Sequence, residues 1–357
     1  MTVPQPLLEL TRGRVVESVH YGHIAVVDAN GKLLASYGDP QTVAFLRSSA
    51  KPFQVLPFVE HGGVEYFGFS SRELALACAS HDGSSLHIET VELMQEKAGL
   101  VESQLQCGVH LPADPVMFKS FVAKGQMPTA NYNNCSGKHT AMLAYARMRD
   151  LPLETYLDPA HPIQKEILET FAAMCGLEPG QVEPGTDGCS APNFAVPLAS
   201  AAWGMARLCD PRGLSERRAA ACRQITSAMT EHPEMISNFG QFDCELMKAG
   251  AGEIITKRGA EGYQIAGLMP GVLAPGSPGV GIAFKITDGD AARMSMELES
   301  TTRVRPAVAL EILNQLGVLS EQQVQALASF GPLKQVRNHR GIVTGQARPV
   351  FTLERHG

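Results

Sequence analysis

Apolar and polar positions divide the chain into three stretches. Near the start, Gly13 to His20, His23 to Asp28 and Lys32 to Tyr37 read as strands, with Asn30-Gly31 forming the turn between the last two. From about Thr42 to Met247 apolar residues recur at helical spacing, as in Ser71 to Ala79, His87 to Ala98, Lys138 to Arg149, Pro162 to Cys175, Ala195 to Leu208 and Arg217 to Met229. Strand patterns return at Glu253 to Lys257, Tyr263 to Leu268 and Val280 to Thr287, then a turn at Asp288-Gly289-Asp290 and a helix from Pro306 to Leu316. A closing pair, Gln335 to Arg337 and Val343 to Leu353, reads as an edge hairpin. The pattern predicts an α/β fold. One lobe is an antiparallel sheet with helices built from both chain ends, residues 1–40 and 253–357, and a mainly helical region spans 41–252, with the site in the cleft.

Composition narrows the partners. With 357 residues, 44% of them hydrophobic, the chain can bury a sizeable core, and a net charge of −6 without a basic run argues against nucleic acid and anionic membrane. Residues 1–14 lack a basic stretch followed by an apolar one, and no apolar run reaches the ~20 residues that span a bilayer, so a cytoplasmic location is expected. The eight cysteines are too sparse for a disulfide scaffold and are expected as thiols. A small polar substrate fits this balance.

Candidate chemistry begins at Ser48-Ser49-Ala50-Lys51, followed in order by Ser80-His81-Asp82 and Lys257-Arg258-Gly259. This Ser-x-x-Lys, Ser-x-Asp, Lys-x-Gly order is how penicillin-type hydrolases activate a serine without a histidine base. Residues three apart on a helix share a face, so Ser48 and Lys51 can approach, while Pro52 places the motif on a first turn or kinked start. Apolar residues on both sides, Phe45-Leu46 and Phe53 to Phe58, predict burial of Lys51. To act as a base near neutral pH its pKa must fall by about 3 from ~10.4, a difference of roughly 4 kcal/mol. Lys257 ends an apolar strand and either guards a sheet edge or faces the cleft, where it would pair with Ser80.

Two polar segments precede helices. Asn131 to Thr140 holds Cys135, Lys138 and His139, and Thr186 to Pro192 holds Asp187 and Cys189. Cys135 and Cys189 could chelate a metal with Lys138 or His139, although spacing alone favours two small polarizable core residues. Asp187, in a glycine-flanked turn, suits a substrate ammonium group. Arg47, or the backbone at Asn134 to Gly137, suits a carboxylate.

Arg47 to Pro52, Cys78 to His81, Asn133-Asn134-Cys135-Ser136-Gly137-Lys138-His139, Asp187-Gly188-Cys189 and Lys257 to Gly262 together resemble the rhizobial-type, or class 3, L-asparaginases, over nearly the whole chain. The resemblance implies a serine-β-lactamase/glutaminase-like fold, a homodimer, and hydrolysis of L-asparagine to L-aspartate and ammonia with no organic cofactor. It implies Ser48 with Lys51 and Ser80 with Lys257 as catalytic pairs. It further implies zinc held by Cys135, Lys138 and Cys189, with Asp187 and His139 close to the site. Ser84 stands where the family is expected to carry an acidic residue, and Cys244 matches no role.

The mechanism expected is acyl transfer, with neutral Lys51 taking the Ser48 proton, Ser48 attacking the side-chain amide, and Ser80 with Lys257 relaying protons; the reverse assignment of the serines is equally open. A glutaminase or a penicillin-type acyl hydrolase shares the constellation, since one methylene discriminates by only ~1–3 kcal/mol. An amino-acid binding protein without catalysis would keep Asp187 and Arg47 but has no use for two serine–lysine pairs.

Overall fold

A computed structural model of the chain describes residues 3–290 and 304–357; residues 291–303, part of the expected terminal lobe, lie outside the described residues. Its strands in chain order are β1 (Gln5–Arg12), β2 (Val15–Asp28), β3 (Leu33–Tyr37), β4 (Val43–Phe45), β5 (Glu183–Thr186) and β6 (Pro192–Pro197). Then follow β7 (Ile254–Arg258), β8 (Tyr263–Leu268), β9 (Val280–Ile286), β10 (Lys334–Arg337), β11 (Val343–Pro349) and β12 (Glu354–Arg355). A nine-stranded antiparallel sheet runs β10-β11-β1-β2-β9-β8-β7, with β3 joining β2 and β12 joining β3. The expected sheet from both chain ends, with helices, is therefore present, and the closing hairpin lies at its edge.

The centre of the sheet follows from period-two alternation in β2. Its second half is buried on both faces: Ala25 and Val27 join a core with the helices of the middle region, while Ile24 and Val26 join one with Val308, Leu310 and Ile312 of the helix Arg305–Leu316. Helix Leu198–Cys209 packs directly on β9, where a Cβ on Gly281 would stand 1.8 Å from the Ala202 carbonyl. Only glycine permits that approach.

Several expectations are corrected. Gly13 to His20 and His23 to Asp28 are one strand, β2, not two, and β1 precedes them unforeseen. Gly22 reads as a break, yet it sits in the ladder because any side chain there would meet the Lys285 carbonyl at 2.1 Å. The middle region is not helical throughout: β4, β6 and β5 form a small sheet, and Ala195 to Pro197, read as helix, end β6. Among the described residues no helix is long and apolar enough to cross a membrane.

Candidate active site

Three segments converge at one end of β7. The turn Arg47–Ala50 is a 3₁₀ turn running into the helix Lys51–Glu60, with Pro52 in its first turn, where proline is tolerated. Arg47 has φ 53°, a left-handed conformation costly for a side-chain-bearing residue. The helix Ser71–Ala77 ends just ahead of Ser80. The helix Ser136–Met148 approaches so closely that a Cβ on Gly137 would stand 2.5 Å from the Leu76 carbonyl. That contact brings Cys135 and Lys138 toward the serine loop.

Ser80 is the hub. Its Oγ accepts a hydrogen bond from Lys51 Nζ at 3.0 Å and another from Lys257 Nζ at 2.8 Å. Lys51 also donates to the carbonyls of Ala79 and Asn134, and Lys257 to the carbonyl of Arg258. Both lysines are fully buried and Ser80 is 2% exposed. Neither amine has a carboxylate hydrogen-bonded to it among the described residues. Burial lowers the pKa of Lys51, with Lys138 pushing the same way. Burial, then the charge of Lys51, pushes Lys257 well below its ordinary value. An edge-guarding lysine would face water, and Lys257 does not.

Ser48 lies at the half-buried rim of the same turn, and among the described residues no hydrogen bond joins its hydroxyl to Lys51. The expected Ser48–Lys51 contact is thus replaced by Lys51 on Ser80, because a buried amine takes the three acceptors that converge on it. Ser49, absent from the expected set, donates to the Lys257 carbonyl at 2.7 Å and ties the turn to β7. Gly259 makes this possible, since a Cβ there would stand 2.4 Å from the Leu46 carbonyl.

Arg47 and Asp187 meet each other, Nε to Oδ1 at 2.7 Å, with side chains 26% and 9% exposed. Of the backbone at Asn134 to Gly137, expected to offer free N–H groups to a carboxylate, the N–H groups of Asn134, Cys135 and Ser136 are already engaged by His110 Nε2, Asn133 Oδ1 and the Asn133 carbonyl. The Ser80 N–H is likewise held by the Ile236 carbonyl at 3.0 Å, so it is not free to hold an oxyanion.

Beside the lysines lies a sulfur cluster. Lys138 Nζ donates to Cys189 Sγ at 3.1 Å, and Cys135 Sγ donates to Asn134 Oδ1 at 3.1 Å. Cys135, with Lys138 and His139 nearby, holds Cys189 far below the usual thiol range against the opposing effect of burial, while Cys135 is raised. Burial pulls Lys138 down, but the two sulfurs and Asp187 outweigh it and keep the amine above its ordinary value. His139 is fully buried, its Nδ1 2.6 Å from the Tyr156 hydroxyl and its Nε2 without a partner among the described residues. Burial takes its pKa to about 4. Among the described residues no group of three or more His, Cys, Asp or Glu side chains is arranged to hold a metal. Two sulfurs, an amine and an orphaned imidazole nitrogen nonetheless form a donor set suited to a borderline-soft ion, provided Lys138 gives up its proton.

Four polar side chains, Arg258, Asp82, Asp243 and Gln264, complete the site. Arg258 Nη2 lies 2.8 Å from Asp82 Oδ1, the Arg258 N–H donates to Asp243 at 2.7 Å, and Asp243 also takes Gln264 Nε2 at 2.9 Å. Asp243 neighbours the unmatched Cys244, which is simply buried in the helix Phe242–Ala249. Ser84, at the departure from the family pattern, caps the helix Ser85–Ala98 through His87.

The family model for L-asparaginase II matches residues 8–349. The chain belongs to the L-asparaginase II family. It is an amidohydrolase, acting on a small-molecule amide. A comparison with curated proteins finds no significant match. Among solved structures it is similar to a probable glutaminase from Bacillus subtilis complexed with 6-diazo-5-oxo-L-norleucine, at 12% identity and TM-score 0.41 over 84% of this chain and 85% of that one. It is also similar to a Bacillus glutaminase, at 11% identity and TM-score 0.40 over 83% and 91%.

Proposed function

We propose that this amidohydrolase cleaves the side-chain amide of L-asparagine, releasing ammonia and L-aspartate through an acylated serine. The observation that carries the reading is Ser80 Oγ bridged by two buried lysines with lowered pKa values. An amine kept from protonation can take a hydroxyl proton, and a hydroxyl between two amines can pass one on. Ser48, at the accessible rim, attacks the amide carbon, and its proton goes to Lys51. The tetrahedral intermediate collapses with the C–N bond breaking. The proton travels from Lys51 through Ser80 to Lys257 and onto the departing nitrogen. Water then cleaves the ester and returns the proton to Ser48. Since Ser48 and Lys51 are not hydrogen-bonded in the free enzyme, substrate binding must bring them together, as catalytic contacts often tighten only in the complex.

Arg47 holds the substrate carboxylate and Asp187 its ammonium group, the zwitterion replacing their mutual ion pair. Zinc belongs to the same proposal. Cys135, Lys138 and Cys189 would hold it, and its positive charge would help position the substrate.

The test is ammonia release from L-asparagine and L-glutamine in parallel. Release from asparagine at least about 10-fold faster, matching the span one methylene allows, is expected. Preference for glutamine makes the chain a glutaminase. Ligand-dependent thermal stabilisation without ammonia release would instead identify an amino-acid binding protein.

A further inference from the structure

We propose that Arg258 is a positioning residue that holds the Ser80 main chain while its own carbonyl holds the Lys257 amine. The inference rests on the serine–lysine reading above. Consecutive residues of β7 grip Ser80 twice. Lys257 takes the hydroxyl at 2.8 Å, and Arg258 Nη2 takes the carbonyl at 3.2 Å while pairing with Asp82 at 2.8 Å. The Lys257 amine in turn donates to the Arg258 carbonyl at 2.9 Å. One residue therefore sets both ends of the Ser80–Lys257 contact.

The grip is anchored from behind. Since β7 is an edge strand, its outer N–H groups lack a ladder partner, and Asp243 supplies one to Arg258 at 2.7 Å. The cross-strand neighbour of Arg258, Gln264, holds the other Asp243 oxygen at 2.9 Å. On the far side the Asp82 carbonyl accepts the Asp114 N–H at 2.7 Å, so the loop that Arg258 pulls on is itself fixed. Asp82 is 3% exposed. A planar guanidinium can serve a carbonyl and a carboxylate together, which a lysine ammonium on a flexible stem does with far less directional control. Its charge also acts on Lys257, alongside Lys51, Asp243, Cys135 and Cys78.

The experiment compares wild type with Arg258→Ala, Arg258→Lys and Asp82→Asn. Readouts are ammonia release, serine labelling by a fluorophosphonate (which needs no amide substrate), and melting temperature. Displacement of the serine by about 1 Å predicts a loss of about 100-fold in kcat and in labelling rate for Arg258→Ala, with KM changed by less than about 3-fold. Added guanidinium ion should restore both rates saturably without raising the melting temperature. Arg258→Lys and Asp82→Asn should fall between. Turnover and labelling of Arg258→Ala within about 2-fold of wild type, or a loss that follows the melting temperature and resists guanidinium, overturns the inference alone. Labelling that responds as predicted while neither amide is hydrolysed supports Arg258 and removes the asparagine reading. A wild type inert to both removes the two together.

Discussion

The tightest constraint on the site is Gly259, and replacing it by alanine tests whether the distance between the serine turn and β7 sets the rate. A Cβ at this position would stand 2.4 Å from the Leu46 carbonyl and 3.1 Å from both Ser49 Oγ and Tyr263 Cβ. An ordinary carbon–oxygen contact is about 3.3 Å, so the turn or the strand must yield by about 1 Å. Arg305, buried and donating to the Gly259 carbonyl at 2.9 Å, resists movement of the strand end. The displacement would therefore fall on the turn bearing Ser48 and Lys51, loosening the Ser49 bond to the Lys257 carbonyl. Gly259 is not among the glycines with positive φ, so backbone strain does not enter. A displacement of this size predicts a loss of about 100-fold in kcat/KM. Overpacking predicts a stability loss of about 1–3 kcal/mol. Ammonia release and urea unfolding measure the two separately. Gly180→Ala, where a Cβ meets nothing within 4 Å, serves as the control and should leave both unchanged. A folded Gly259→Ala enzyme with kcat/KM within about 3-fold of wild type would refute the distance argument.

Three further outcomes follow from the same geometry. Lys257→Met should lower kcat by about 10³-fold or more. It should also change how stability depends on pH. The folded-state pKa of Lys257 is depressed, so between that value and ~10.4 the unfolded chain binds a proton that the folded chain does not, and wild-type stability rises with pH across that window. The variant lacks this term, so its stability advantage over wild type, read from urea midpoints, should shrink between about pH 7 and about pH 10; a constant difference would count against a neutral buried amine. Arg47→Gln should raise KM for asparagine about 10–100-fold with little change in kcat, the range expected for a lost charged hydrogen bond, and steady-state kinetics distinguish this from a catalytic loss. Zinc removal by a chelator should raise KM more than it lowers kcat, checked by metal analysis beside kinetics; a loss confined to kcat would show that the ion does more than position substrate.

Much of the site was legible because its residues carry chemistry that the surrounding pattern does not need. A lysine inside an apolar run, as at Lys51 or Lys257, has no place in a core without a polar partner, and both are fully buried against Ser80. The Ser48–Lys51 hydrogen bond expected from helical spacing is absent among the described residues, because spacing specifies which residues share a face, not which acceptors compete for a buried amine. Asp82 and Arg258 were visible only as members of the Ser-x-Asp and Lys-x-Gly motifs and Asp243 had no role, since their connection runs across three distant segments. In the fold, β7, β8 and β9 match the apolar runs that predicted them to within one residue. By contrast β5, with Pro184 and Gly185, reads as a turn, and it becomes a strand only by pairing with β6. The N–H groups at Asn134 to Gly137 were expected to be free because a helix start leaves donors unpaired, but Asn133 and His110 fill those of Asn134, Cys135 and Ser136.

The most direct test of the central claim, that asparagine passes through a serine ester, is partition with hydroxylamine. An aspartyl ester on Ser48 is intercepted by hydroxylamine to give the β-hydroxamate of aspartate, in competition with water. The account predicts hydroxamate in proportion to hydroxylamine concentration and its disappearance, with turnover, in Ser48→Ala. Undiminished turnover in Ser48→Ala, with no hydroxamate formed by the wild type, would contradict it and point to direct attack of water on the amide.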